Sequence, residues 1–285
     1  MTFKAAAIQM CSGIDPARNV ETMASLVSEA ASQGAVYIQT PEMTGAIQRD
    51  REGLRAVLKD EASDLVVREA ARLAGELDIY LHIGSTPIGL SDGKIANRGF
   101  LFGPDGKKIC DYDKIHMFDV DLANGESWRE SAAYRPGSTA RMVDLPFGKL
   151  GFAICYDVRF PELFRRQAIA GAEIMSLPAA FTRQTGEAHW EILLRARAIE
   201  NGLFVVAAAQ AGAHEDGRET FGHSMIIDPW GRVLAQAGPA GEAVIMAEID
   251  VAAAHAARGR IPNLKNARDF VLEQVVPAGK GGVAA

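Results

Sequence analysis

The chain has 285 residues, 48% of them hydrophobic and 23% charged, with a net charge of −6. A chain this long can bury one large core or two smaller ones, and its acidic balance excludes nucleic acid and anionic membrane as principal partners. The longest apolar run, Leu203 to Ala209, is far short of the ~18 residues a membrane span needs.

Short apolar runs alternate with amphipathic segments. Phe3 to Met10 is nearly all apolar and reads as a buried strand. Asp15-Pro16 then supplies an N-cap and a proline at the first helical position; Val20, Met23, Val27 and Ala30 recur at helical spacing until Gly34. A strand is expected at Ala35 to Thr40, a helix from Ser63 to Glu76, and a strand at Ile79 to Thr86. Ile95 to Phe102 and Lys107 to Tyr112 flank the turn GPDG as a hairpin. In the second half, Lys149 to Cys155 reads as a strand and Pro161 opens a helix reaching Ala170. Glu173 to Leu177 is a strand, Glu187 to Asn201 a helix closed by Gly202, and Leu203 to Gln210 another strand. His223 to Ile227 and Arg232 to Gln236 make a second hairpin around DPWG. The halves share one order of elements with no linker between them, so one domain (1–275) with internal pseudo-symmetry is expected, as an α/β sandwich of mixed sheets covered by helices. The tail 276–285 lacks apolar mass and reads as mobile or spent on a partner subunit. Arg165, Arg166, Arg195 and Arg197 fall in helices and read as solvated faces or ion pairs.

Cys155 ends a run of strand character just before a helix start. Ligands bind at that edge of an α/β sheet, and a helix N-terminus or a cation there would lower the thiol pKa. On position alone, a buried core cysteine is the plainer reading. Glu42 follows a strand directly in TPEMTG, where a carboxylate can act as general base and acid; a surface-loop glutamate is the plain alternative. Lys114, in DYDKIHMFDVD, suits neutralisation of an oxyanion or a simple ion pair with Asp111 or Asp113. Glu130 is a further loop carboxylate. Three widely spaced cysteines form no disulfide framework, and the N-terminus MTFKAAAIQM has no signal-like segment, so a reducing cytoplasm is expected. The six histidines are dispersed without metal-ligand spacing, and there is no phosphate loop or dinucleotide fingerprint. No metal or other cofactor is expected.

Together, TPEMTG around Glu42, DKIHMFDVD around Lys114 and GFAICYDVRFPEL around Cys155 resemble the nitrilase superfamily of carbon–nitrogen hydrolases, whose members place Glu, Lys and Cys in this order. The resemblance runs from Ala6 to about Pro262. KIHMFDVD, RESAAYRPG, TGEAHWEILLRARAIEN and GHSMIIDPWG are similar to the Nit branch of amidases. The run VVAAAQAG before GHSM is closer to the deaminated-glutathione amidases than to the ω-amidases. RGRIPNLKNARDF keeps Ile261-Pro262 but lacks the paired basic residues usual further on.

The resemblance implies an αββα four-layer sandwich that pairs into a homodimer, or a higher homo-oligomer, across helices. It also implies hydrolysis of the amide of a small 2-oxo acid, deaminated glutathione first, with 2-oxoglutaramate or an N-carbamoyl amide as alternatives. Cys155 would attack the amide carbon while Glu42 takes its proton. Lys114 and the backbone N–H after Cys155 would hold the oxyanion, and Glu130 would orient Lys114. A thioester would form with departure of ammonia or an amine, and water activated by Glu42 would hydrolyse it. Arg159 suits pairing with Glu130 or with a substrate carboxylate; Tyr156, Phe181 and His189 are pocket candidates. A non-catalytic scaffold on the same fold would be expected to lose one of the three central residues, and all three are present.

Overall fold

The computed structural model describes residues 2–122 and 125–275; the tail 276–285 lies outside them. The first half runs β1 (Thr2–Gln9), α1 (Pro16–Ser32), β2 (Tyr37–Gln39), α2 (Arg51–Val57), α3 (Leu65–Leu77), β3 (Tyr80–Gly89), β4 (Ile95–Phe102) and β5 (Lys108–Asp113). A small ribbon, β6 (Asp119–Asp121) with β7 (Ser127–Arg129), leads into β8 (Met142–Leu145), β9 (Gly148–Phe152), α4 (Pro161–Ile169), β10 (Ile174–Ser176), α5 (Arg183–Asn201) and β11 (Phe204–Ala207). A second ribbon, β12 (Ala211–Ala213) with β13 (Glu219–Phe221), precedes β14 (Met225–Ile227), β15 (Val233–Gln236), β16 (Ala243–Asp250), α6 (Ala252–Arg260) and α7 (Asn263–Asn266).

Local chemistry explains most boundaries. Asp15 caps α1 by accepting from the Ala17 N–H at 2.9 Å, and Gly34 leaves the helix at φ 86°. Asp64 caps α3 through the Val67 N–H at 3.0 Å. Helix α5 begins at Arg183, four residues ahead of the expected Glu187 (183 against 187), because Thr182 caps it through the Thr185 N–H. Gly202, left-handed at φ 58°, ends it.

Two six-stranded sheets result, ordered β16-β1-β2-β3-β4-β5 and β15-β14-β11-β10-β9-β8. In the first, β1, β2 and β3 are parallel, and β4, β5 and β16 add antiparallel at the edges. In the second, β9, β10 and β11 are parallel, with β14 and β15 on one side and β8 on the other. Each sheet is therefore the pseudo-two-fold counterpart of the other. The first half borrows its outer strand, β16, from the far end of the chain, a non-local pairing that short-range sequence signals do not announce.

Strand alternation sets the layers. Ala5 and Ala7 of β1 join Tyr37, Leu150, Phe152 and Ile174 in the core between the sheets. Ala6 and Ile8, on the opposite face, pack on Met23 and Val27 of α1 and Ala70 of α3. Helix α5 packs on β11 and β14 of the second sheet, and α4 packs against α5 and bonds Phe152 of β9 through Gln167. This is the αββα sandwich.

Candidate active site

A cavity of about 390 Å³ opens where the parallel strands of both sheets end. Glu42, Lys114, Glu130, Cys155, Tyr156 and Phe181 all line it. Arg159 and His189 do not: the Arg159 guanidinium meets His189 Nδ1 at 3.3 Å and lies 5.5 Å from the Phe181 ring and 5.8 Å from the Tyr156 ring. The expected pairing of Arg159 with Glu130 is not formed, because Glu130 is fully engaged elsewhere.

Cys155 is not the last residue of a strand. Strand β9 stops at Phe152, and Cys155 opens a 3-10 turn over Cys155–Arg159 at φ 50°. A left-handed conformation costs a non-glycine residue about 1–2 kcal/mol, so the surroundings must impose it. The Cys155 N–H donates to Pro178 O at 2.8 Å. Asp157, wholly buried, accepts from the Ile154 N–H at 2.9 Å, the Tyr112 hydroxyl at 2.7 Å and the His116 N–H at 3.0 Å. Those bonds anchor the turn to β5 and to the segment after it.

Glu42 sits one loop beyond β2, flanked by Met43 at φ 56°. Its Oε2 accepts from the Ala180 N–H at 2.8 Å; its Oε1 accepts from Asn97 Nδ2 at 2.9 Å and Lys114 Nζ at 3.0 Å. Gln210 Nε2 steadies the loop by donating to Glu42 O at 3.0 Å. Lys114 follows β5, whose alternation turns its neighbours outward: Asp113 takes Arg98 at 2.6 Å and Asp111 takes Lys108 at 3.1 Å. Lys114 itself turns inward, 2% exposed, and donates to both Glu130 oxygens at 2.9 and 3.1 Å. The ion pair with Asp111 or Asp113 is thus excluded. Glu130 also accepts from Asn97 Nδ2 at 3.2 Å and from the Phe118 N–H at 2.6 Å.

Charge follows from this packing. Burial opposes ionisation of Glu42, but the Lys114 charge and hydrogen bonds from Cys155, Lys114 and Asn97 outweigh it, holding the carboxyl below its ordinary value. Burial likewise opposes the Lys114 ammonium, yet Glu130 and Glu42 hold it well above the usual range. The Cys155 thiol is pushed well up by burial and then by the Glu42 charge, against the pull of Lys114. That reverses the expectation of a thiol lowered by its setting: the neighbouring carboxylate and desolvation prevail over the cation. The resting site is a carboxylate, an ammonium and a neutral thiol. Among the described residues no His/Cys/Asp/Glu cluster could hold a metal ion.

The chain matches the carbon–nitrogen hydrolase family over residues 4–259. It belongs to that family. The hydrolase is 37% identical to a deaminated glutathione amidase of Yersinia enterocolitica, the alignment covering 92% of each chain. It is 40% identical to a human protein of the same name, covering 92% of this chain and 81% of the relative. Yeast Nit3, a member of branch 10 of the nitrilase superfamily, superposes with a TM-score of 0.82 at 30% identity, covering 92% of this chain and 94% of the other. The hydrolase is therefore of the Nit branch of the nitrilase superfamily.

Sequence reasoning passed over Asn97, which bridges Glu42 and Glu130, and Asp157, which anchors the nucleophile turn. A lone asparagine in the apolar strand IANRGFLF was a signal for the first. Asp157 carried none beyond its place two residues after Cys155. Nor did the sequence point to Arg49 and Arg218, which reach the cavity from two separate loops, or to Trp128, which reaches it from β7.

Proposed function

We propose that the protein is an amidase that hydrolyses deaminated glutathione through a cysteine thioester, with Glu42, Lys114 and Cys155 as its catalytic residues and Glu130 positioning Lys114. One observation carries the chemistry: Cys155 shares its cavity with a carboxylate, Glu42, that is held ionised by the buried Lys114 ammonium 3.0 Å away. Glu42 takes the thiol proton as sulfur attacks the amide carbon, so that no free thiolate need accumulate in the resting enzyme. The oxyanion is then met by Lys114 and the Tyr156 N–H; losing one such donor typically costs a factor of 10²–10³ in rate. Glu42 passes the proton to the departing nitrogen, and a water activated by Glu42 hydrolyses the thioester.

The acyl group is inferred from the relatives named deaminated glutathione amidase and from Arg159, which is free of Glu130 and suits a 2-oxo acid carboxylate beside Tyr156 and Phe181. His189, held against Arg159, is read as its support. Deaminated glutathione is an amide of 2-oxoglutarate with cysteinylglycine, so the leaving group is an amine; ammonia leaves only from 2-oxoglutaramate or a carbamoyl compound.

Residues 1–275 are read as one catalytic domain, since both sheets share a core. We read the enzyme as a homodimer: α5 exposes Ile192 and Ile199, with Trp230 and Ile261 exposed nearby, an apolar face of the kind that marks an interface. Its three free cysteines suit a reducing cytoplasm; among the described residues no helix is long and apolar enough to cross a membrane.

The test is a substrate panel: deaminated glutathione and 2-oxoglutaramate followed by 2-oxoglutarate release, N-carbamoyl amino acids and a simple nitrile followed by ammonia, each with wild type and Cys155→Ala. The expected result is the highest kcat/KM on deaminated glutathione and none with Cys155→Ala. Equal turnover by Cys155→Ala would overturn the mechanism; turnover of carbamoyl compounds alone would overturn the substrate and spare the mechanism.

A further inference from the structure

A row of aromatic rings lines the cavity wall, with two lining cations at one end and Arg159, just outside the lining, at the other. Tyr156 meets Phe118 edge-on at 5.2 Å, and Phe118 meets Trp128 at 6.3 Å. Arg159 stands over Tyr156 at one end. At the other, two guanidinium groups share one indole: Arg218 lies 4.7 Å and Arg49 5.1 Å from the Trp128 ring centroid. Tyr156, Phe118, Trp128, Arg218 and Arg49 all line the same cavity as Cys155.

Two guanidinium groups brought to one ring repel each other, and each presents five N–H donors. Few of these are satisfied. Arg218 Nε is buried without a hydrogen-bond acceptor, and among the described residues the only ion pair of that side chain is a loose 3.5 Å contact from Nη2 to Asp216. Among the described residues, the Arg49 side chain makes no hydrogen bond or ion pair, and its charge rests against the indole. An anion placed between them would relieve the repulsion and take up the idle donors in a planar, forked geometry that suits a carboxylate.

Phe118 ties this end to the chemistry, because its N–H donates to Glu130, which in turn holds Lys114. A ligand lying along the wall, with its amide at Cys155 and one carboxylate toward Arg159, therefore runs its other half toward Trp128.

We propose that Arg218 and Arg49, stacked on Trp128, form the binding site for a carboxylate on the amine leaving group. The enzyme would thus select amides that carry an anion on both sides of the scissile bond. This rests on the proposed function above, and it assigns a specificity role to residues outside the catalytic set. Cysteinylglycine ends in such a carboxylate; the ammonia of 2-oxoglutaramate has none.

The test compares deaminated glutathione with its glycine carboxamide, which differs only in that charge, on wild type, Arg218→Gln, Arg218→Lys and Arg49→Gln. Hydrogen bonds to charged groups are worth about 1.5–3 kcal/mol, or roughly 10- to 150-fold. In wild type, the kcat/KM ratio of acid to carboxamide should therefore be roughly 10 or more. It should collapse toward one in Arg218→Gln, mainly through KM, fall partway in Arg49→Gln, and recover in part in Arg218→Lys. Because the readout is a ratio within each protein, a general loss of fold or activity cancels.

A wild-type ratio near one would overturn the inference while leaving the proposed function standing, as would a ratio that survives intact in Arg218→Gln. If wild type hydrolyses neither compound but does hydrolyse 2-oxoglutaramate, the proposed substrate falls, and this site with it.

Discussion

Replacing Lys114 by methionine separates the electrostatic role of this residue from its bulk. Its ammonium is 2% exposed and sits within 3.1 Å of three carboxylate oxygens from Glu42 and Glu130. Methionine fills similar volume but leaves two buried carboxylates facing each other without a cation. Breaking a buried pair by removing one partner costs about 3–5 kcal/mol. At this chain length roughly 2 °C of Tm is lost per kcal/mol, so about 6–10 °C is expected near pH 8.

The pH dependence is the sharper test. In wild type the carboxyl of Glu42 lies below its ordinary value of 4.5, so its stabilising contribution is present above that value and is lost only as pH falls through the folded pKa. Stability should therefore be insensitive to this site between pH 5 and 8. In Lys114→Met, burial and mutual repulsion raise the folded carboxyl pKa above the unfolded one. Its contribution is then intact at low pH and lost as pH rises. Differential scanning fluorimetry of both proteins from pH 5 to 8 should find the Tm deficit of the variant smallest at pH 5 and largest at pH 8. A deficit that is constant, or that grows toward acid, would refute the assignment of Lys114 as the cation holding the Glu42 carboxyl ionised. Activity should fall at least 10²-fold at every pH, since an oxyanion donor is lost as well.

Two further outcomes follow from the site. Asn97→Leu removes a hydrogen bond that helps hold the Glu42 carboxyl down; the acid limb of the kcat/KM profile should move to higher pH, and an unmoved limb would dissociate Glu42 from that limb. Gly84→Ala would place a Cβ 2.2 Å from Thr40 O and 2.4 Å from Pro178 Cβ, crowding both the Glu42 loop and the residue that receives the Cys155 N–H. An overpacking cost of about 1–3 kcal/mol should appear in thermal melts together with a fall in kcat, and a variant that melts and turns over like wild type would remove the argument for close apposition there.

Much of this molecule was legible in one dimension. Apolar periodicity, Asp15-Pro16, Gly34, Gly202 and the two hairpin turns marked most elements, because caps and turns act over a few residues. The motifs around Glu42, Lys114 and Cys155 named the chemistry and the family, and the family implied the sandwich. What the sequence by itself could not decide was where side chains point and what they meet. Lys114 stands between outward-facing aspartates and was as readily their partner as the partner of Glu42; only the register of β5 in the folded sheet turns it inward. Strand β16 pairs with β1 from the opposite end of the chain, a contact that local signals do not encode. The thiol state of Cys155 depends on a carboxylate brought against it from another sheet and on burial that exists only when both sheets close. The two cations at Trp128, Arg49 and Arg218, come from two loops far apart in sequence. Local propensity is written residue by residue, whereas electrostatics and burial belong to distances that only the tertiary fold creates.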